Sequence, residues 1–353
     1  MTSSPFDHPL LAGLLGDEEI APFFSASAEL AEMVRFEAAL AEAEAAEGLI
    51  PTEIARNVVA ALKHVQFDLE AIRAATARDG TIGVEFVRQL RAALDPKLRE
   101  HVHLGATSQD LVDTALVLRL TPVLAIFRGR LETLRGQILD LDRKFGSQKL
   151  MAGTRMQDAI PVSVADRLSA WLQPLDRHNE RLDQLMPRLF RLQFGGAAGT
   201  LDKLGSKGPA VAGRIALALG LEAPPRSWHA QRDAIGELAG WLSLVTGALG
   251  KIGVDVALMA QNRIGAVKLA DGGRSSAMPH KQNPVKAEVL VALARYNATL
   301  VGGVHQALVH EQERSGAAWT LEWLVLPQMV MTTATSLRTA MTLLASIVHI
   351  GEG

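Results

Sequence analysis

Residues 237–261 read Glu-Leu-Ala-Gly-Trp-Leu-Ser-Leu-Val-Thr-Gly-Ala-Leu-Gly-Lys-Ile-Gly-Val-Asp-Val-Ala-Leu-Met-Ala-Gln. Within them Leu238, Leu242, Val245, Leu249, Ile252, Val256 and Met259 recur at alternating spacings of four and three. On a helix such positions fall on one face, and a seam this regular belongs to a helix packed lengthwise against others, as in a long bundle or coiled coil. Gly240, Gly247, Gly250 and Gly253 interrupt the same stretch. Each lowers helix propensity by about 1 kcal/mol relative to alanine, so close approach of a neighbouring backbone is the expected compensation.

Outward from this seam, residues 26–48, 108–144, 161–192, 284–312 and 320–348 also read as long helices. Several exceed the usual globular length of about 10–14 residues, which points to an extended bundle. Pro122 lies inside the second and predicts a kink or a local break there. Strand signals are nearly absent, and glycine-rich 195–208 reads as a connection or short hairpin. The expected fold is all-α, with a small helical domain over 1–96 and the long-helix bundle over 97–350.

Composition sets the outer limits. Hydrophobic residues are 48% and charged residues 21%, the balance of a soluble globular chain. A net charge of −2 provides no basic field for nucleic acid or an anionic membrane surface. Cysteine is absent, which removes disulfides, thiolate nucleophiles and thiolate metal sites and fits a reducing compartment. The amino terminus lacks a basic-then-apolar secretory pattern, and no uncharged apolar run reaches membrane-spanning length. A cytoplasmic protein without nucleic-acid or membrane partners is the expectation.

Four clusters carry chemistry. Gly272-Gly-Arg-Ser-Ser-Ala-Met-Pro-His-Lys-Gln-Asn-Pro284 is a polar, glycine-opened loop between apolar helices, and its Asn-Pro end is a helix-start signal. Ser275, Ser276, Lys281 and Asn283 place hydroxyls, a cation and an amide together, suited to closing over a carboxylate. In His101-Val-His-Leu-Gly-Ala-Thr-Ser-Gln-Asp110, Thr107 or Ser108 can cap the next helix, and its amino end offers N–H groups to an anion. A bare cap and a structural His103 are the plain alternatives. In Ala152-Gly-Thr-Arg-Met-Gln-Asp-Ala-Ile-Pro161, Thr154 supplies a hydroxyl, Arg155 a planar cation for a carboxylate, and Gln157 a donor and an acceptor. The alternative is a polar turn ahead of a helix opened by Pro161. Arg314, in Glu311-Gln-Glu-Arg-Ser-Gly-Ala-Ala-Trp-Thr-Leu-Glu-Trp323, is either a helix-surface charge or a further cationic site. His305, His310 and Glu311 lack the spacing that sets two imidazoles on one helical face, so no metal site is expected.

Three of these clusters resemble the signature motifs of the fumarase/aspartase superfamily. The loop matches Gly-x-Ser-Ser-x-Met-Pro-x-Lys-x-Asn-Pro, with Arg274 where glycine is more usual. The 101–110 stretch is similar to His-x-Gly-x-Thr-Ser-x-Asp, and 154–161 to Thr-His-x-Gln-x-Ala-x-Pro, with Arg155 in place of a catalytic histidine. Ser227-Trp-His-Ala-Gln-Arg-Asp233 and Glu313-Arg-Ser-x-x-x-Trp-x-x-Glu-Trp323 resemble the bacterial 3-carboxy-cis,cis-muconate cycloisomerases (lactonizing enzymes), which also lack that histidine. The likeness runs from about Phe36-Glu-Ala-Ala-Leu40 to about residue 340.

This resemblance implies a cofactor-free lactonization of a tricarboxylate in protocatechuate breakdown by the β-ketoadipate route. It assigns acid/base work to Ser275, with Ser276 as fallback, and gives the stabilised carboxylate to Lys281 and Asn283. His103 would polarise substrate or help proton transfer. Thr107, Ser108, Thr154, Arg155, Gln157 and Arg314 would bind substrate. It further implies a homotetramer whose active sites are shared between subunits, and a third, carboxy-terminal helical domain largely absent from this chain. The rival readings are an adenylosuccinate-lyase-like C–N lyase, against which Arg155 and Trp228 argue, and an inactive helical scaffold.

Overall fold

The computed structural model describes residues 4–352. The amino-terminal part holds α1 (Ala12–Leu15), α2 (Ala26–Ala46), α3 (Thr52–Leu62), α4 (Leu69–Asp79) and α5 (Gly83–Ala93). The spine, α6, runs from Ser108 to Phe145 and is followed by strands β1 (Lys149–Thr154) and β2 (Gln157–Ser163), then α7 (Val164–Leu189) and α8 (Gly208–Leu219). Next come α9 (Asp233–Met259), short strands β3 (Val267–Leu269), β4 (Gly273–Arg274) and β5 (Gln282–Asn283), α10 (Val285–Gln306), α11 (Gly316–Ala345) and β6 (Ile347–Ile350). The strands make three antiparallel two-stranded ribbons, β1–β2, β3–β6 and β4–β5, so the architecture is helical.

The apolar seam of α9 is buried along its whole length, against α7, α10 and α11. By length and composition α9 is also apolar enough to cross a bilayer, a property it shares with the buried core helix of a soluble bundle. Its glycines divide into two kinds. At Gly253 an added Cβ would lie 2.6 Å from the Ala287 carbonyl oxygen, and at Gly250 it would lie 2.5 Å from the Ala294 Cβ, so these two do allow α10 to close in. Gly240 and Gly247 have nothing within 4 Å and lie on an open face with exposed Leu244 and Val254.

Two apolar cores share α6. Leu111, Val112, Ala115 and Leu118 pack with α2, α3, α5 and α8, while Leu120 through Leu141 pack with α7, α9, α10 and α11. A buried ion pair anchors the first segment onto this spine, Arg130 donating to Asp17 at 2.6 and 2.9 Å and to the Ala334 carbonyl at 2.9 Å.

Several local expectations are corrected. No break falls at Pro122, since helix α6 runs on through it. Pro161 lies within β2, and α7 starts three residues later, at Val164, behind a reciprocal capping box of Ser163 and Asp166. Of the two readings of 195–208, the connection is the one observed: a pair of tight 3₁₀ turns, not a hairpin. The real hairpin is 149–163, whose exposed faces gave no alternating apolar signal to read. Asn283 ends a short strand, and Pro284 takes the capping position of α10 without a side-chain bond.

Candidate active site

At the amino end of α6, Thr107 is the capping residue, and its own N–H bonds Asp110 at 2.9 Å. Asp110 is fully buried and also accepts the N–H groups of Gly195 and Gly196, each at 2.9 Å, and Nε2 of His229 at 2.7 Å. One carboxylate thus ties the helix start to two distant loops. Arg314 Nη1 donates to Thr107 Oγ1 at 2.7 Å, so a guanidinium stands over the capping hydroxyl. Ser108, the first residue of α6, packs on Gly83, where an added Cβ would lie 2.6 Å from the Ser108 Cβ. His103 adopts a left-handed backbone (φ 62°), and its Nδ1 bonds Glu37 at 2.6 Å.

Beneath this surface lies a buried charge cluster. Arg232 is buried between Asp113, reached at 2.6 and 3.1 Å, and Glu322, reached at 2.9 and 2.5 Å. Burial alone would disfavour its charge, but the two carboxylates outweigh it and hold the guanidinium pKa above the usual arginine range. Trp319 Nε1 also donates to Asp113, at 3.0 Å. Trp228 stacks on the Arg232 guanidinium at 4.6 Å, with its indole N–H on the Leu192 carbonyl at 3.0 Å and its amide on Gln193 Oε1 at 3.0 Å. This locks α6, α9 and α11 together where the loops converge.

The other two clusters lie elsewhere. Arg155 and Met156 form the hairpin tip, with φ of 50° and 65°, the paired left-handed geometry of a two-residue turn. Thr154, Arg155 and Gln157 are exposed there. The serine loop is closed at its base by the β4–β5 pairing of Gly273 with Asn283 and Arg274 with Gln282. Ser275 Oγ accepts two backbone N–H groups, from Ala277 at 3.3 Å and Met278 at 3.1 Å. Donors so placed would favour a serine oxyanion. Ser276 and Lys281 project outward on the same exposed loop, beside half-buried Asn283.

Helix lengths decide what can meet. Helix α6, of 38 residues, separates Thr107 from the hairpin by about 57 Å at about 1.5 Å per residue. Helix α10, of 22 residues, separates the serine loop from the Arg314 turn by about 33 Å on the same rise. The structure therefore brings His103, Thr107, Ser108 and Arg314 to one end. It leaves Thr154, Arg155, Gln157, Ser275, Ser276, Lys281 and Asn283 on separate segments beyond the far ends of these helices.

Comparison with known proteins decides the family. A lyase family model matches residues 20–296. The 3-carboxy-cis,cis-muconate cycloisomerase of Pseudomonas aeruginosa is 41% identical over 330 residues, spanning 92% of this chain and 72% of that protein. The chain belongs to the 3-carboxy-cis,cis-muconate cycloisomerase family of lyases. The crystal structure of the 3-carboxy-cis,cis-muconate lactonizing enzyme from Pseudomonas putida superposes with a TM-score of 0.91 at 37% identity, covering 97% of this chain and 77% of that one. A fumarate lyase from Mesorhizobium sp. BNC1 matches with a TM-score of 0.88 at 32% identity, covering 95% and 76%. The family's helical fold is thus the fold observed here.

Sequence reasoning missed the residues that organise the site from behind. Asp110, His229, Arg232 and Glu322 stood inside recognisable motifs, but nothing local announced that they pair across as many as 119 positions. Glu37 stood in Phe36-Glu-Ala-Ala-Leu40, where the family likeness begins, with nothing to tie it to His103.

Proposed function

We propose that this chain converts 3-carboxy-cis,cis-muconate to 4-carboxymuconolactone within protocatechuate breakdown, in the cytoplasm. The observation that carries the reading is the Arg314–Thr107 contact over the amino end of α6, a cation and a helix terminus converging where a carboxylate docks. A trianionic substrate needs several such sites. Arg155 and Lys281, neither with an acidic partner among the described residues, supply two more.

In the reaction a substrate carboxylate oxygen adds to a conjugated carbon. One C–O bond forms, one C=C π bond is consumed, and the electron pair moves to the carbon beside another carboxylate. Lys281 and Asn283 hold that carboxylate as it takes up charge, and the Ser275 hydroxyl delivers the proton to carbon. The two N–H groups on Ser275 Oγ then stabilise the serine oxyanion until it is reprotonated. Arg155, always charged, binds and does not shuttle protons.

We further propose a homotetramer with active sites shared between subunits. The separation of about 57 Å along α6 supports it, because one chain does not join its own clusters. The open face of α9, with Gly240, Leu244, Gly247 and Val254, is a surface for a second copy. The direct test follows the ultraviolet absorbance of 3-carboxy-cis,cis-muconate mixed with purified protein, with adenylosuccinate in parallel. Loss of the diene signal alone supports the proposal. Turnover of adenylosuccinate alone, or silence with both, overturns it.

A further inference from the structure

We propose that Glu37 is the positioning residue for His103: its carboxylate holds the proton on Nδ1 and thereby presents an unprotonated Nε2 toward the substrate site at the head of α6. The two residues are 66 positions apart, yet Nδ1 and Oε1 lie 2.6 Å from one another. The Glu37 side chain is only 1% exposed and the imidazole 12% exposed, so water competes poorly for the bond. An ionised carboxylate only accepts, so a hydrogen bond to it fixes which ring nitrogen is protonated. No described residue bonds Nε2.

The backbone around the ring is fixed as well. Arg91 Nη2 grips the Val102 carbonyl at 2.9 Å, His103 is held in the left-handed region, and Gly105 follows at φ 73°. Four residues after His103 stands Thr107, under Arg314. The imidazole is therefore aimed from the segment that also builds the anion-docking helix start. Two turns further along α2 lies Glu44, fully buried and without any hydrogen-bond partner. Burial, and next the charge of Glu37, push its pKa up to about 8.

The kinetic part of the test rests on the function proposed above, and the spectroscopic part does not. Glu37→Gln, nearly isosteric, should lower kcat on the order of 10²-fold or more, as loss of a histidine-orienting carboxylate does elsewhere. In a His103→Ala background the same change should cost under about twofold, because residues acting through one another are non-additive. A purely structural Glu37 would cost the same factor in both backgrounds, and that result overturns the proposal, as does an unchanged kcat in Glu37→Gln. Independently, ¹⁵N spectra of histidine-labelled wild-type protein, with His103→Ala for assignment, should show the neutral ring protonated at Nδ1. Glu37→Gln should populate the other tautomer. A wild-type ring protonated at Nε2 overturns the proposal whatever the substrate, whereas a silent muconate assay with the expected tautomer removes the functional reading and leaves the pair standing.

Discussion

Glu44 makes the structure testable through stability alone. Its carboxyl is buried with neither oxygen bonded, and burial raises its pKa from 4.5 to about 8. The unfolded chain releases this proton near the ordinary glutamate value, while the folded chain keeps it until about pH 8. The folded state is therefore favoured most below the unfolded pKa, and its stability falls as pH rises toward the folded one. At about 1.4 kcal/mol per tenfold change in proton affinity, the full shift amounts to roughly 5 kcal/mol per subunit. Of this, roughly 4 kcal/mol should develop between about pH 5 and about pH 8.5. Glu44→Gln keeps the shape and cannot ionise, so its advantage over wild type should grow by that amount across the interval. Urea unfolding by far-ultraviolet circular dichroism at fixed subunit concentration measures the difference, fixed concentration removing the contribution of assembly. Wild-type and variant curves that stay parallel from acid to alkaline pH would refute the reasoning, since they would mean that Glu44 is charged or solvated in the folded state.

Three further outcomes are expected. Ser275→Ala should lose turnover by about 10²-fold or more with an unchanged melting curve, and near-normal activity would end its assignment as proton donor. Arg232→Met should destabilise by about 3–5 kcal/mol, because Asp113 and Glu322 are left buried without their cation, and calorimetry against wild type reads the loss. Thr107→Val and Arg155→Ala should each be inactive alone, yet co-refolded mixtures should recover about a quarter of wild-type activity, since random assembly leaves about one composite site in four intact. No recovery from properly assembled mixed oligomers would place both residues in one subunit's site.

The sequence by itself carried whatever depends on local periodicity or on a contiguous motif. The seam from Leu238 to Met259 specified a core helix because a helix shows only one face to its neighbours, and that face repeats at 3.6 residues. The Ser-Ser loop and the Thr107 helix start were legible for a similar reason, since caps and turns are made by adjacent residues. The hairpin at 149–163 escaped notice because its outward side chains, Met156 and Ile160 among them, bury nothing within the chain and so carry no alternating pattern. Gly240 and Gly253 look identical in sequence, yet only the second meets a neighbouring helix.

What only the tertiary structure decided was pairing at a distance. Asp110 with His229, Arg232 with Asp113 and Glu322, and Glu37 with His103 join residues separated by 66 to 119 positions. Such partners are selected by which buried faces end up opposed, and each buried charge finds its partner because leaving it alone would cost several kcal/mol. The length of α6 decided the remaining question. Motif residues that lie 47 positions apart in sequence, Thr107 and Thr154, are carried to opposite ends of one continuous helix, so adjacency along the chain is no guide to which groups can share a substrate.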